Sequence, residues 1–295
     1  MTAGQVLGID FGGTKVALAT ADPGWSPVVS SARRRLPTTG SAEEVVRRSL
    51  EAAREMVAAP LAVGVSTIGV VRDERIRLAP NVPGWEGMEL PRMLRDEYGD
   101  TPVVIDNDVN AAAAAELRWG ALRGVDVGIY LNLGTGLAAA LVVDGRVVRG
   151  AHGAAGEIGY LLDPTRDNCY ADGDAPLEEL VSGSALAAQG SALVGRPVAA
   201  AELFTMAGDA RVDALIDEAL RTLAQAVANL CITLDPARVV IGGGMMGAAE
   251  RILPRIAALL PRAVPFPPEL APATFIDDAP LLGALALAVE AVGVS

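Results

Sequence analysis

At 295 residues the chain is longer than one hydrophobic core usually organises, so two domains are expected, and 51% hydrophobic with 20% charged residues reads as a core-forming globular protein. A formal net charge of -12 argues against nucleic acid or an anionic membrane as partner, although small anions can still bind locally. No early basic start leads into an apolar stretch, no apolar run reaches about 18 residues, and two cysteines make no disulfide framework; neither signal peptide nor membrane span is read, and the cytoplasm is the expected compartment.

In chain order, the first feature is VLGIDFGGTKVALATA, residues 6–21. Two apolar runs flank Asp10-Phe11-Gly12-Gly13-Thr14-Lys15, the pattern of a β-hairpin with a glycine-rich turn. Gly12 and Gly13 let backbone N–H groups approach a phosphate, Thr14 adds a hydroxyl, and Lys15 is the only lysine in the chain. Asp10, at the strand end, suits a hydrated Mg²⁺, which keeps most of its waters and takes one or two carboxylates. A plain structural hairpin accounts for the same residues, and the G-x-x-x-x-G-K-[ST] spacing of a P-loop is absent. Residues 28–36 read as a third strand. Residues 41–58 form an amphipathic helix opened by the capping box Ser41-x-x-Glu44, and 61–66 a buried strand. The stretch 79–90 is too rich in Pro, Gly and Asn for regular structure; from it Asn81 and Trp85 offer an amide and an aromatic face to a polar ligand. A short helix follows over 90–98.

The stretch VVIDNDVNAAAAAELRWG, residues 103–120, joins a buried strand to an Ala-rich helix through a carboxylate-rich turn. Asp106, Asn107 and Asp108 thus fall at the carboxyl end of a strand, where open α/β sheets bind ligands. Asp108 is the candidate base, since a carboxylate fixed there can accept a hydroxyl proton; on this stretch alone, a simple helix N-cap is the better explanation. After residue 120 the opening pattern recurs: an apolar run 127–133, the turn Gly134-Thr135-Gly136, an apolar run 137–143, a second turn at Asp144-Gly145, and a short strand 146–149. Two Gly/Thr hairpins about 120 residues apart suggest two domains of similar topology, each with one phosphate-holding turn. His152 is the only histidine, so no Ser-His, Cys-His or His-rich metal site can be assembled. A long amphipathic helix is read over 213–234, then a strand 238–241 and the run Gly242 to Gly247. That run satisfies G-x-G-x-x-G, but it lies far from an N-terminal βαβ unit, and the acid about 20 residues on, Glu269, falls in a Pro-rich loop, which disfavours a dinucleotide site. Met245 and Met246 read as core filler, and 282–292 as an apolar helix.

GIDFGGTK, APNVPGW, NDVNAAAAAE with WGA, LNLGTGLAAALVVDG, GAAGEIG, LEELVSGSAL and VVIGGGMM together resemble the ROK group of sugar kinases, within the actin and hexokinase superfamily. The resemblance spans nearly the whole chain. It implies an α/β fold of two ribonuclease-H-like, actin-like ATPase domains with a cleft between them: residues 1–118, completed by a C-terminal helix at 281–295, and a larger domain at 119–280. It implies ATP- and Mg²⁺-dependent phosphorylation of a sugar hydroxyl, with glucose at its 6-position the leading acceptor and another hexose or an N-acetylhexosamine the alternatives. Asp108 is then the base. Asn81, Asn107, Glu157, Tyr160 and Glu178 address the sugar; Gly12, Gly13, Thr14, Lys15, Gly134, Thr135 and Gly136 the phosphates; Gly243 and Gly244 the adenosine. Sugar-responsive repressors of the same group carry an N-terminal helix-turn-helix, for which a first strand starting near Val6 leaves no room. Similar proteins are often dimers, and a homodimer is compatible with the resemblance. A sugar-binding protein with weak or no kinase activity is the remaining alternative.

Two departures stand out. Tyr160 replaces a His that in the family faces the sugar and ligates zinc, and of three zinc-loop cysteines only Cys169 remains, with Ala171 and Pro176 at the other two positions. One thiolate cannot make a tetrahedral site, so no structural zinc is expected. Elemental analysis of the purified protein should accordingly find far less than one zinc per chain; a stoichiometric amount would overturn this reading.

Overall fold

The computed structural model describes residues 4–24, 32–79, 82–164, 167–206 and 208–293. By compactness the chain divides into one unit of Met1–Arg123, Arg149–Ala155 and Asp278–Ser295, and a second of Gly124–Val148 and Gly156–Asp277.

In the first unit, β1 (Val6–Phe11), β2 (Lys15–Ala21) and β3 (Ala32–Pro37) form an antiparallel meander, followed by α1 (Ala42–Met56). β4 (Val63–Thr67) returns parallel to β1, a small hairpin of β5 (Val70–Arg72) and β6 (Arg75–Arg77) follows, then α2 (Leu90–Tyr98), and β7 (Val103–Asn107) runs parallel to β4 into α3 (Asp108–Trp119). The sheet order is β3-β2-β1-β4-β7. The second unit repeats this plan. It contains β8 (Gly128–Leu133), β9 (Leu137–Val143), β10 (Arg146–Val148), α4 (Glu178–Val181), α5 (Gly183–Val194), α6 (Ala200–Thr205), α7 (Ala210–Leu234), β11 (Arg238–Gly242), α8 (Ala249–Ala263) and β12 (Glu269–Pro272), with sheet order β10-β9-β8-β11-β12. The last helix, α9 (Ala279–Ala291), belongs to the first unit.

Local sequence accounts for most of these elements. β1 and β4 are buried almost throughout, as expected of strands covered on both faces. The capping box of α1 forms as read: the Glu44 N–H donates to Ser41 Oγ (3.3 Å) and the Ser41 N–H to Glu44 Oε2 (2.8 Å). The β5–β6 hairpin and β12 are among the elements that escape the sequence reading. The turn between β5 and β6 is Asp73-Glu74, both at positive φ (50° and 63°), so it is a two-residue turn of left-handed residues without the glycine that normally announces one. Glu269, read as loop, opens the edge strand β12; prolines are tolerated there because an edge has no second neighbour to bond.

The first unit is held by backbone-close packing of α9. A Cβ on Gly64 of β4 would lie 1.8 Å from the Ala284 carbonyl oxygen, and one on Gly283 would lie 1.8 Å from that of Ala111 in α3. α9 is buried nearly all round, and Ala111, Ala112, Ala113 and Ala115 of α3 are buried with it. The Ala run therefore serves close packing as much as helix propensity. No helix among the described residues is long and apolar enough to cross a membrane.

Because backbone cannot yield as a side chain can, Gly64→Ala and Gly283→Ala should each destabilise the protein by at least about 3 kcal/mol in urea unfolding. Gly24→Ala, with nothing near its would-be Cβ, should stay within about 0.5 kcal/mol of the parent.

Candidate active site

The turn between β7 and α3 gives three neighbouring residues three different tasks. Asn107 is the helix N-cap, its Oδ1 accepting the Asn110 N–H at 2.7 Å, which leaves its amide NH₂ as the remaining donor. Asp106 is buried, and its carboxylate accepts from the Asn107 N–H (3.0 Å), Asn110 Nδ2 (2.7 Å) and Arg149 Nε (2.7 Å). Asp108 is then the first helical residue, not the cap. Its Oδ1 accepts from the Val109 N–H at 2.9 Å, and no basic side chain of the described residues pairs with it. Burial pushes the Asp108 carboxyl from 3.8 up to about 6, against the opposing pull of its backbone hydrogen bonds.

Asp10 closes β1 nearby in the sequence of strands, since β1 and β7 both flank β4. Burial raises its carboxyl to about 7; the Ser66 hydroxyl, donating to Oδ1 at 2.8 Å, opposes this, the charge of Asp108 adds to it, Lys15 opposes and Asp278 adds. Asp278 is itself held by Arg33 (2.9 Å) and Arg35 (3.0 Å). Asp10 is thus a desolvated carboxyl with further carboxylates acting on it. Among the described residues no three metal-ligating side chains converge. The adjoining turn is closed by the Gly12 N–H donating to the Lys15 carbonyl (3.1 Å), and Thr38 Oγ1 donates to the Gly13 carbonyl (3.1 Å); Gly13 and Thr14 are exposed. Asn81 lies outside the described residues. Trp85 is no ligand platform: it is buried, its ring centroid 5.6 Å from that of Phe11 and its Nε1 donating to Thr67 Oγ1 (3.0 Å).

In the second unit the corresponding turn is closed by the Gly134 N–H donating to the Gly136 carbonyl (3.0 Å). The start of α5 rests on it: the Gly183 N–H donates to the Gly134 carbonyl (2.8 Å), and Ser184 Oγ to that of Thr135 (2.7 Å). The N–H groups of Gly183, Ser184 and Ala185 at that helix start are themselves bonded, to the carbonyls of Gly134 and Thr135 and to Ser182 Oγ, so what the helix start offers an anion is its dipole. Gly134 and Thr135 open onto a cavity of about 710 Å³, also lined by Phe204, Gly244, Met245 and Arg251. That is ample for a nucleotide. Arg251 lies over the Phe204 ring (5.8 Å), donates to the Phe204 carbonyl (3.1 Å) and bonds Asp213 (3.3 Å). Gly136 and Gly243 do not line the cavity. A Cβ on Gly136 would meet Glu178 Oε2 at 2.7 Å; Gly243, at φ 94°, passes so close to Leu133 that a Cβ would lie 2.4 Å from its carbonyl oxygen. Met245 and Met246 belong to the core, and Met245 also faces the cavity. Phe204 and Arg251 were not legible as site residues, for neither falls in a motif; Arg251 could have been sought one helical turn beyond the glycine run.

Glu178 and the turn Glu157–Tyr160 are neighbours, since a Cβ on Gly159 would lie 3.2 Å from that of Glu178. Glu178 Oε2 accepts the Leu137 N–H at 2.8 Å, leaving Oε1 for other donors. Tyr160 packs edge-on against Tyr170, with centroids 5.2 Å apart and planes at 89°. Cys169 is part of a local turn, both its N–H (3.0 Å) and its Sγ (3.3 Å) donating to Asp172 Oδ2.

The chain matches the ROK family over residues 6–291. It belongs to that family. An N-acetylmannosamine kinase of Vibrio vulnificus strain YJ016 is 33% identical over 294 residues, covering 95% of this chain and 96% of that one. The crystal structure of a ROK hexokinase from Thermus thermophilus superposes with a TM-score of 0.83 at 33% identity, over 98% and 99% of the two chains. A ROK glucokinase from Streptomyces griseus, in complex with glucose and AMPPNP, gives 0.76 at 28% identity, over 97% and 100%. The fold of this ROK protein is thus the actin-like ATPase fold, and the strand order shared by its two sheets is the mark of that fold.

A carboxyl raised in the folded state costs stability when ionised: the cost appears as pH rises from about 4 to 6 and is constant above. Asp108→Asn removes it. After allowance for partial exposure, the variant should gain on the order of 1 kcal/mol at pH 7, read as a higher Tm, and the gain should vanish near pH 4.

Proposed function

We propose that this ROK sugar kinase transfers the γ-phosphoryl group of ATP to the 6-hydroxyl of an N-acetylhexosamine, N-acetylmannosamine being the leading acceptor, with Asp108 as base. One observation carries the chemistry: a desolvated carboxylate at a strand end, poised near neutral pH and without a cation to quench it. The kinase relatives, one of them acting on N-acetylmannosamine by name, support the acceptor class. Glucose at the 6-position is the second reading, favoured by likeness to the glucose-bound glucokinase.

Phosphoryl transfer is mostly positioning and charge stabilisation. The Thr135 side of the second turn, with the dipole at the start of α5, holds phosphate oxygens, and the Phe204 and Arg251 wall with Gly244 takes the nucleoside. Gly12, Gly13, Thr14 and Lys15 supply further donors. Mg²⁺ near Asp10, when bound, neutralises phosphate charge. Asn107 through its NH₂, with Glu157, Glu178 Oε1 and the Tyr160 hydroxyl, orients the sugar, because a hydroxyl left unpaired in a desolvated site costs about 1–3 kcal/mol. Asp108 accepts the proton of the attacking hydroxyl late in the transfer.

Sugar-dependent ADP release with MgATP, measured over N-acetylhexosamines and hexoses, tests this directly. The highest kcat/KM is expected on N-acetylmannosamine, and Asp108→Asn should lower kcat by at least about 10²-fold. Since the base must be ionised, wild-type kcat/KM should fall about tenfold per pH unit below about pH 6. Full turnover in Asp108→Asn would dismiss Asp108 as the base; a glucose optimum would select the second reading.

A further inference from the structure

Asp106 is used by no step above, yet its carboxylate is the most heavily bonded group of the turn. It is buried, it accepts three N–H donors, and Arg149 is the one cation among the described residues that pairs with it. The demand of this carboxylate is strong enough to orient Asn110: with Nδ2 turned to Asp106, the Asn110 Oδ1 is left buried without a partner. Arg149 comes from far along the chain, 43 residues on, and from a stiff support. The Ala155 N–H closes a turn onto the Arg149 carbonyl (3.1 Å), and Gly150 and Gly153 adopt φ of 74° and 76°. The turn sits on β5, where a Cβ on Gly153 would meet Val70 Cγ1 at 3.0 Å.

We propose that Arg149 is a positioning residue for phosphoryl transfer: its ion pair with Asp106 fixes the turn carrying Asn107 and Asp108, and screens Asp108 from the charge of Asp106. This rests on the kinase reading of the same site. Asp106 and Asp108 stand two residues apart, about 7 Å by chain geometry, so an unpaired charge on Asp106 at an effective dielectric near 20 acts on Asp108 by more than one pK unit. The pair cancels that field. The other charges around Asp108, namely Asp10 with Lys15 and Asp278 beside it, are unaltered by changes at Arg149.

The test compares wild type, Arg149→Met, Arg149→Lys, the double variant Asp106→Asn with Arg149→Met, and Asp108→Asn, all as full-length protein. Arg149→Met should lower kcat at least about tenfold while the KM values for sugar and ATP stay within about twofold. It should also move the acid limb of kcat/KM up by about one pH unit. The double variant, which removes both charges, should return the limb to its wild-type position, and Arg149→Lys should fall between. Wild-type kcat and acid limb in Arg149→Met, or equal limb shifts in the single and double variants, would overturn the proposal. If the wild type turned over no sugar, the kinase reading would fail separately, and the ¹³C carboxyl titration of Asp108, assigned with Asp108→Asn, would still decide this one. A rise of about one unit in Arg149→Met supports it, and an unmoved titration overturns it.

Discussion

A desolvated carboxylate with no cation paired to it among the described residues has to be held in place by the backbone around it, and this constraint reaches through the whole first unit. Asp108 is fixed by the backbone: by the Val109 N–H and by its seat in the first turn of α3, where the helix dipole favours negative charge. That seat is only as firm as α3. The helix is fixed in turn because Gly283 lets α9 touch it at the backbone, and α9 is fixed because Gly64 lets it touch β4. Three elements distant in sequence are thus locked by contacts without side-chain slack. The neighbouring Asp106 is paired inside the same frame by Arg149, which stands on a closed turn.

Both units use one strand order, yet they place opposite chemistry at their strand ends. In the first, β1 and β7 end in carboxylates, Asp10 and Asp106 to Asp108; in the second, β8 and β11 run into glycines, Gly134 and Gly242 to Gly244. A phosphate is best met by backbone N–H groups with little acid nearby, and Glu250 is the only acidic residue lining the second unit's cavity among the described residues. A hydroxyl to be activated needs the reverse. Duplicating the scaffold lets each requirement be met without compromising the other.

Much of this is legible in the amino-acid sequence, because the strongest signals are local. The two Gly/Thr hairpins, the capping box of α1 and the helix over 90–98 form as the residues dictate. What is not legible is decided at a distance or by exception. The β5–β6 turn uses left-handed Asp73 and Glu74, an exception to glycine. β12 is a strand only because β11 lies beside it. Trp85, in a polar-looking loop, is core because Phe11 and Thr67 wait for it. Nor can sequence alone say which of Asn107 and Asp108 caps α3. Both are good caps, and the choice of Asn107 is what leaves Asp108 free of the capping task.

The segment that follows Tyr160 shows how a site wall is rebuilt when metal ligands are missing. Where the family's zinc loop has cysteines, Cys169 here serves Asp172, Glu179 Oε1 accepts the Ala175 N–H at 3.1 Å, and Tyr160 leans on the exposed Tyr170. An aromatic pair of this kind contributes about 0.5–1.5 kcal/mol, far less than a metal bound by several ligands. A wall held by contacts of that size yields more readily to a bulkier acceptor than a metal-held wall does. Tyr160 is held there by a ring contact rather than by a metal bond.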